Sequence, residues 1–153
     1  MATVEDLEEL VDVQQEAAVP AFGHIFSQDE HPFPRGTIAA RWLSEIDDPA
    51  YDVLVSVDDD GAITGFSASR ADELVHFGTA LSTWGTGVAQ NLLDAALERM
   101  RDGGVTHARL WVLDENHRGR RFYEKLGWVE SEGRSHSPFA PFPAMRELTK
   151  RLG

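Results

Sequence analysis

Residues 73–112 constrain the fold of this chain more than any other segment. Val88, Leu92, Ala96 and Met100 recur every four positions, which predicts a long amphipathic helix over residues 87–101. Extended segments flank that helix over residues 73–80 and 107–112. A strand, a helix and a strand in this order form a right-handed crossover, so the two strands should be parallel neighbours in one sheet.

The remaining segments alternate between the periodicity of helices and that of strands. Their order predicts a mixed sheet flanked by helices, that is, an α+β (α/β mixed sheet) fold class. In chain order, the remaining elements are a helix over residues 3–20, a loop over 22–36, a helix over 37–47, a β-hairpin over 51–57 and 63–68, a short helix over 116–126, and an extended pair on either side of 139–143.

The composition excludes several classes of protein. With 153 residues, of which 42% are hydrophobic and 26% charged, the chain fits one globular domain over residues 1–153, and no apolar run approaches membrane length. The acidic start lacks a secretory pattern, which predicts a cytoplasmic protein. The absence of cysteine excludes disulfides and a thiol nucleophile. A net charge of -12 repels nucleic acids and anionic membranes, and would concentrate cationic amines.

The turn over residues 84–89, Trp-Gly-Thr-Gly-Val-Ala, lies where a predicted strand ends and the long helix begins. A helix N-terminus offers unpaired N–H groups, and glycines let the backbone approach an anion, so the turn can hold a phosphate. A dinucleotide fingerprint would need glycine at Gln90, and a Walker loop would need Lys at Val88. Neither motif is therefore present. The turn either binds another phosphate-containing ligand or is a tight turn without a ligand.

A second motif covers residues 116–128. Asn116 and Tyr123 are seven residues apart, about two helical turns, so they should lie on one face of the short helix and could share a ligand. The residue types also fit a purely structural interpretation, in which Asn116 caps the helix, Tyr123 packs and Gly127 ends it.

These two motifs, in this order and separated by one helix and one strand, resemble the GNAT superfamily of acyl-CoA-dependent N-acyltransferases. The resemblance is strong over residues 77–128 and extends in element order over the whole chain. It implies a GNAT-like fold, whose central, mostly antiparallel sheet contains one parallel, splayed strand pair and is flanked by about four helices. It also implies acetyl-CoA as cofactor, and transfer of the acetyl group to a primary amine of a small molecule or peptide.

The resemblance also assigns residues to coenzyme A. The pyrophosphate would lie against N–H groups of the turn, the pantetheine arm against the backbone at the preceding strand end, and the short helix would contribute two side chains. The implied residues are Thr79 and Leu81 for pantetheine; Trp84, Gly85, Thr86, Gly87, Val88 and Ala89 for the turn; and Asn116 and Tyr123 from the short helix.

The sequence departs from the family pattern at two places. Trp84 stands where the family usually has Arg or Gln, so backbone donors would supply most of the phosphate contact. Only Met1 and Ala2 precede the first helix cap, so the first strand of the family would be missing or truncated. A sheet edge left uncovered in this way would favour a homodimer.

Catalysis by direct attack of the amine in a ternary complex needs a base and an acid. Members of the family often place a glutamate base on the strand before the turn, where this chain has Glu73 and His76. Strand alternation predicts that these two side chains lie on opposite faces, and we favour Glu73. Tyr123 matches the family's general acid, which protonates the CoA thiolate.

The acceptor site is implied by the resemblance to the family. By analogy with the family, aromatic residues from the first two helices and the final strands would contact an acceptor with an apolar part. These candidates are Phe22, His24, Phe26, Phe33, Trp111 and Phe142. The six histidines show no metal-binding spacing, so no metal is expected. A non-catalytic acyl-CoA-binding sensor or assembly module on the same fold remains the alternative function.

Overall fold

The computed structural model describes residues 1–153 and contains four α-helices and six strands. Two short 3-10 turns, Val4–Asp6 and Leu81–Thr83, precede α1 and α3. The helices are α1 Leu7–Phe22, α2 Arg35–Asp47, α3 Val88–Asp102 and α4 His117–Lys125. The strands are β1 Tyr51–Val57, β2 Ile63–Arg70, β3 Glu73–Thr79, β4 His107–Leu113, β5 Val129–His136 and β6 Ala144–Arg151. This inventory confirms the predicted α+β class.

The six strands form one sheet in the order β1-β2-β3-β4-β6-β5. All neighbours are antiparallel except β3 and β4, which are parallel as the crossover predicted. Their register contains only two residue pairs, Glu73 with Arg109 and Leu74 with Leu110. Beyond those pairs β3 and β4 diverge. The gap between their carboxyl-terminal halves is called here the β3–β4 cleft.

A separate apolar cluster covers each face of the sheet. On one face, α1 and α2 pack over β1 to β3, and Trp42 of α2 is completely buried against the edge of the Phe66 ring. On the other face, α3 contributes Leu93 and Met100 to a cluster that includes Leu110 of β4. Burial of both faces of the central strands stabilises the sheet, so the β3–β4 cleft is bordered by well-packed strands.

Two predicted helix boundaries were wrong. Helix α1 continues through Pro20 to Phe22, because a proline near the last turn removes one N–H donor without blocking the residues that follow. Helix α2 begins at Arg35, two residues before Thr37, directly after Pro34 at the cap position.

A β-bulge at Val75 changes the orientation of the residues that follow it. His76 pairs with Ala68 and Leu74 pairs with Ser69, so Val75 is the extra residue on β3. The bulge reverses the alternation, and Glu73 and His76 therefore point to the same face of the sheet, the one covered in part by α1 and α2. The prediction that they lie on opposite faces was wrong, since it assumed an unbroken strand.

The first residues of the chain lie beside β1 without forming a strand. The Ala2 N–H donates to the Val53 carbonyl over 3.0 Å, and the 3-10 turn begins at Val4. Strand β1 is one edge of the sheet and β5 is the other. Among the helices, none combines the length and the apolar character that crossing a bilayer would require.

Candidate active site

Two glycines in left-handed conformations shape the turn between β3 and α3. Gly85 has φ of 82° and Gly87 has φ of 92°, a region that residues with a Cβ atom rarely adopt. No neighbouring atom lies within 4 Å of the position that a Cβ would occupy at either residue. The backbone conformation, and not lack of space, therefore requires glycine at both positions.

The N-terminus of α3 presents a group of unpaired N–H donors. The first N–H to bond back into the helix is that of Asn91, which donates to the Gly87 carbonyl over 3.0 Å. No side chain caps this end of the helix. The N–H groups without a partner in the protein are those of Gly85, Gly87, Val88, Ala89 and Gln90. Together with the helix dipole, they form a site suited to an anion.

The structure changes the predicted set of turn donors at two residues. The Thr86 N–H donates to the Thr83 carbonyl over 3.1 Å, and its hydroxyl donates to the same oxygen, so Thr86 holds the turn together. The Thr86 N–H is thus already engaged within the turn, whereas the N–H of Gln90, which the sequence motif did not include, has no partner in the protein. Which of these donors bind the pyrophosphate stays a prediction.

Trp84 folds back against the end of β3. Its indole Nε1 donates to the Thr79 carbonyl over 3.1 Å, and its ring is half-buried. The guanidinium carbon of Arg118, on α4, lies 3.8 Å from the centroid of the same ring. At this distance the two side chains form a cation–π contact between the turn and α4.

The backbone of β3 faces the β3–β4 cleft at Thr79. The Ala80 N–H donates to the Thr64 carbonyl of β2 over 2.8 Å. Because successive residues direct their N–H and C=O groups to opposite edges of a strand, Thr79 directs its groups toward the cleft. Leu81, by contrast, lies beyond the strand in a 3-10 turn, and its carbonyl accepts the Trp84 N–H at 3.1 Å. Leu81 therefore does not extend β3, and its backbone contact with the pantetheine arm stays a prediction.

Helix α4 forms the opposite wall of the cleft. Asn116 caps this helix, because its Oδ1 accepts the Gly119 N–H at 3.0 Å. Tyr123, two turns further on, is 9% exposed and packs edge-to-face against Phe77 and Trp128. Burial raises the pKa of Tyr123, so the phenol stays protonated at neutral pH.

Glu73 lies at the closed end of the cleft, where β3 and β4 still pair. Its Oε1 is 3.0 Å from Nη1 of Arg109, and the side chain is 25% exposed. Arg109 also contacts Asp72 at 3.0 Å and Glu147 at 3.9 Å. Asp72 and side chains of β3, β4 and β6 therefore form a charged network that is only partly shielded from solvent.

His76 makes a buried pair with a residue that sequence reasoning missed. Its Nε2 lies 3.0 Å from Oε1 and 2.9 Å from Oε2 of Glu45, and its ring packs at 4.8 Å from that of Trp42. The two side chains are 13% and 8% exposed. The sequence signal that could have revealed this pair is the position of Glu45 on α2. It lies on the same buried face of the helix as the apolar residues Ile38 and Trp42. A carboxylate on the buried face of a helix needs a polar partner.

The aromatic acceptor candidates have different surroundings. Phe33 packs against the apolar cluster below α1 and α2, and Phe142 is 57% exposed. His24 Nε2 lies 2.8 Å from the Glu115 carbonyl, which ties the loop after α1 to the start of α4. Trp111 is half-buried on the same face as Arg109, close to Gly133, where a Cβ would lie 3.1 Å from Cη2 of the indole. Phe22 and Phe26 are half-buried at the end of α1 and in the following loop.

The sequence of this chain is similar to those of known proteins. The model of the acetyltransferase (GNAT) family matches residues 8–128. A mycothiol acetyltransferase from Propionibacterium freudenreichii subsp. shermanii is 32% identical over 148 residues, which cover 90% of this chain and 45% of the relative. The chain thus spans less than half the length of that curated relative.

Solved structures repeat the same architecture. The PaiA N-acetyltransferase of Thermoplasma acidophilum, in complex with coenzyme A, has a TM-score of 0.80 at 21% identity and covers 98% of this chain and 95% of its own. The ribosomal-protein-S18-alanine N-acetyltransferase of Escherichia coli has a TM-score of 0.73 at 18% identity, with 99% and 91% covered. At these identities the likeness establishes the fold alone.

Proposed function

The chain belongs to the acetyltransferase (GNAT) family, and we propose that it uses acetyl-CoA to acetylate a primary amine of a small molecule or peptide by direct attack in a ternary complex. The observation that carries this proposal is the group of five unpaired N–H donors at the start of α3, beside the open β3–β4 cleft. An anion-binding helix end next to two diverging strands can hold the diphosphate and the extended arm of one ligand.

In the proposed complex the turn binds the diphosphate of CoA. Gly85, Gly87 and the first residues of α3 donate N–H groups to the phosphate oxygens. The pantetheine arm then runs along the cleft, where the backbone of β3 at Thr79 is directed toward it. The thioester reaches the region between the Val75 bulge and Tyr123 of α4.

We propose Glu73 as the base that removes a proton from the amine, directly or through one water. A base must reach the substrate, and Glu73 is 25% exposed on the charged sheet face, whereas His76 is 13% exposed beneath α2. The ion pair with Arg109, 3.0 Å long, orients the carboxylate on this face. The pair of His76 and Glu45 then serves to hold α2 on β3.

The amine nitrogen attacks the thioester carbon, and the tetrahedral intermediate collapses with cleavage of the C–S bond. An N–H at the end of β3 near Thr79 stabilises the oxyanion. Tyr123 donates its proton to the departing thiolate. Burial suits this role, because it keeps the phenol protonated beside the place where negative charge develops on sulfur.

The acceptor is proposed to be cationic. The net charge is -12, and Glu73 and Glu147 lie on the face that an acceptor would approach. Similar structures include acetyltransferases named for spermidine and for the alanine of a ribosomal protein, so one fold accommodates very different amines. The mycothiol acetyltransferase adds a third class of acceptor to be tested.

A second candidate is a module that binds acyl-CoA without turnover. Its sequence support is the departure from the family pattern at Trp84, the first residue of the turn. Release of free thiol from acetyl-CoA, measured with a panel of polyamines, amino acids, peptides and amino sugars, separates the two. Amine-dependent thiol release supports the enzyme, whereas saturable binding of acetyl-CoA without release with any amine supports the binding module.

A further inference from the structure

Arg118 connects the two walls of the β3–β4 cleft at its open end, beyond the carboxyl ends of both strands. It belongs to α4, on the β4 side, and its guanidinium stacks at 3.8 Å on Trp84 of the turn before α3. The indole is itself fixed by the hydrogen bond from its Nε1 to the Thr79 carbonyl, 3.1 Å long. The contact therefore holds a cation against the turn that leads into α3.

The charge of Arg118 is not compensated inside the protein. None of the ion pairs within 4.0 Å, such as those of Arg109 and Arg146, involves Arg118. The Arg118 side-chain N–H donors make no hydrogen bond within the protein, and the contact with the ring is through the guanidinium carbon at 3.8 Å. A guanidinium held over an aromatic ring in this way can make bidentate contacts to a phosphate.

The surroundings of Arg118 add to this positive charge. Arg121 and Lys125 follow it at spacings of three and four residues, so the three form one exposed stripe along α4. Neither Arg121 nor Lys125 forms an ion pair. Although the chain has a net charge of -12, this stripe creates a local positive potential that attracts an anion toward the cleft.

We propose that Arg118, held in place by Trp84, is the side-chain cation that binds the CoA diphosphate. Trp84 occupies the first position of the turn, and its indole offers no charged group to a phosphate. The indole contributes indirectly, by orienting a cation from α4 over the same turn. This inference rests on the proposed function, because it assigns a further residue to the same cofactor site.

Isothermal titration calorimetry with CoA and with 3′-dephospho-CoA tests the assignment. Arg118→Gln keeps a polar side chain but removes the guanidinium and its charge, and we expect it to raise the Kd of both ligands about 10-fold. Arg101→Gln, at the exposed end of α3, is the matched control and should leave both Kd values unchanged. Equal weakening of both ligands identifies the diphosphate as the partner, because 3′-dephospho-CoA retains it.

Two results would overturn the assignment. One is an unchanged Kd for CoA in Arg118→Gln, and the other is weakening of CoA but not of 3′-dephospho-CoA, which would place Arg118 on the 3′-phosphate. Failure of the unsubstituted protein to bind either ligand would instead defeat the proposed function, so the two failures are distinguishable.

A double-mutant cycle tests the role of Trp84. In a Trp84→Ala background the Arg118→Gln change should raise the Kd of CoA less than about 3-fold, because the guanidinium is no longer held over the turn. A full 10-fold effect in that background would contradict positioning by the indole. If Trp84→Ala lowers the melting temperature too far for titration, Trp84→Leu replaces it, since leucine keeps apolar bulk without a π face.

Discussion

Glu73 of β3 and Arg109 of β4 form an ion pair across the parallel pair of strands, with 3.0 Å between Oε1 and Nη1. The pair lies where the two strands are still in register, at the closed end of the β3–β4 cleft. It joins the strand proposed to carry the base to the strand that leads into α4 and Tyr123. The ion pair therefore links the strand of the proposed base to the strand that precedes the proposed acid.

Substitution of Glu73 tests the proposed base. Glu73→Gln keeps the shape of the side chain and should lower kcat about 10²- to 10⁴-fold, because the amide cannot accept the amine proton. The Kd of acetyl-CoA should change little, since Glu73 lies away from the turn. Steady-state thiol release and calorimetry give the two values. Should His76→Asn abolish turnover while Glu73→Gln leaves it unchanged, the base would be His76.

Substitution of Tyr123 tests the proposed acid. Tyr123→Phe preserves the ring contacts with Phe77 and Trp128, and should lower kcat about 10²- to 10⁴-fold at unchanged acetyl-CoA affinity. Tyr51→Phe, at the far edge of the sheet, is the matched control and should retain full activity. An unchanged kcat in Tyr123→Phe would remove this phenol from the mechanism.

Burial of Tyr123 also predicts a dependence of stability on alkaline pH. Its pKa is raised in the folded state by desolvation, whereas an unfolded tyrosine titrates near about 10. Unfolding then releases a proton between these two values, so this contribution is fully present below pH of about 10 and is lost as the pH rises toward the folded pKa. Urea midpoints between pH 8 and 11 should fall more steeply for the unsubstituted protein than for Tyr123→Phe. Parallel curves would contradict a buried phenol.

The left-handed glycine at the start of α3 provides a test of the turn. Gly87→Ala forces a Cβ into the left-handed region and should lower the free energy of unfolding by about 1 kcal/mol, with weaker CoA binding. Gly36→Ala in α2 is the matched control, since no atom lies within 4 Å of its added Cβ, and helix propensity should make it neutral or stabilising. Equal effects of the two substitutions, measured by urea unfolding and calorimetry, would argue against a special conformation at Gly87.

Much of this architecture was predictable because its signals are local. The periodicity of α3, the glycines of the turn and the alternation of β1 and β2 each depend on short stretches of sequence. They correctly gave the parallel pair and the position of the turn. The crossover rule then placed α3 on the sheet without further information.

The missed features depend on pairing between distant segments. The bulge at Val75 arises from the register of β3 on β2, which strand alternation cannot reveal. Glu45 meets His76 only after α2 docks on the sheet, and Arg118 meets Trp84 only after α4 closes beside the turn. In each case the sequence contained the residue, but the contact required the tertiary fold.

The most direct test of the whole account follows backbone amides of the ¹⁵N-labelled protein during titration with CoA. Saturable chemical-shift changes should be largest at Gly85, Gly87, Val88, Ala89 and Gln90, whose N–H groups have no partner in the protein. The Asn91 amide, which already bonds to the Gly87 carbonyl, should shift less. Spectra that stay unchanged at millimolar CoA, or that shift only at residues remote from this turn, would contradict the central claim that the start of α3 binds the cofactor diphosphate.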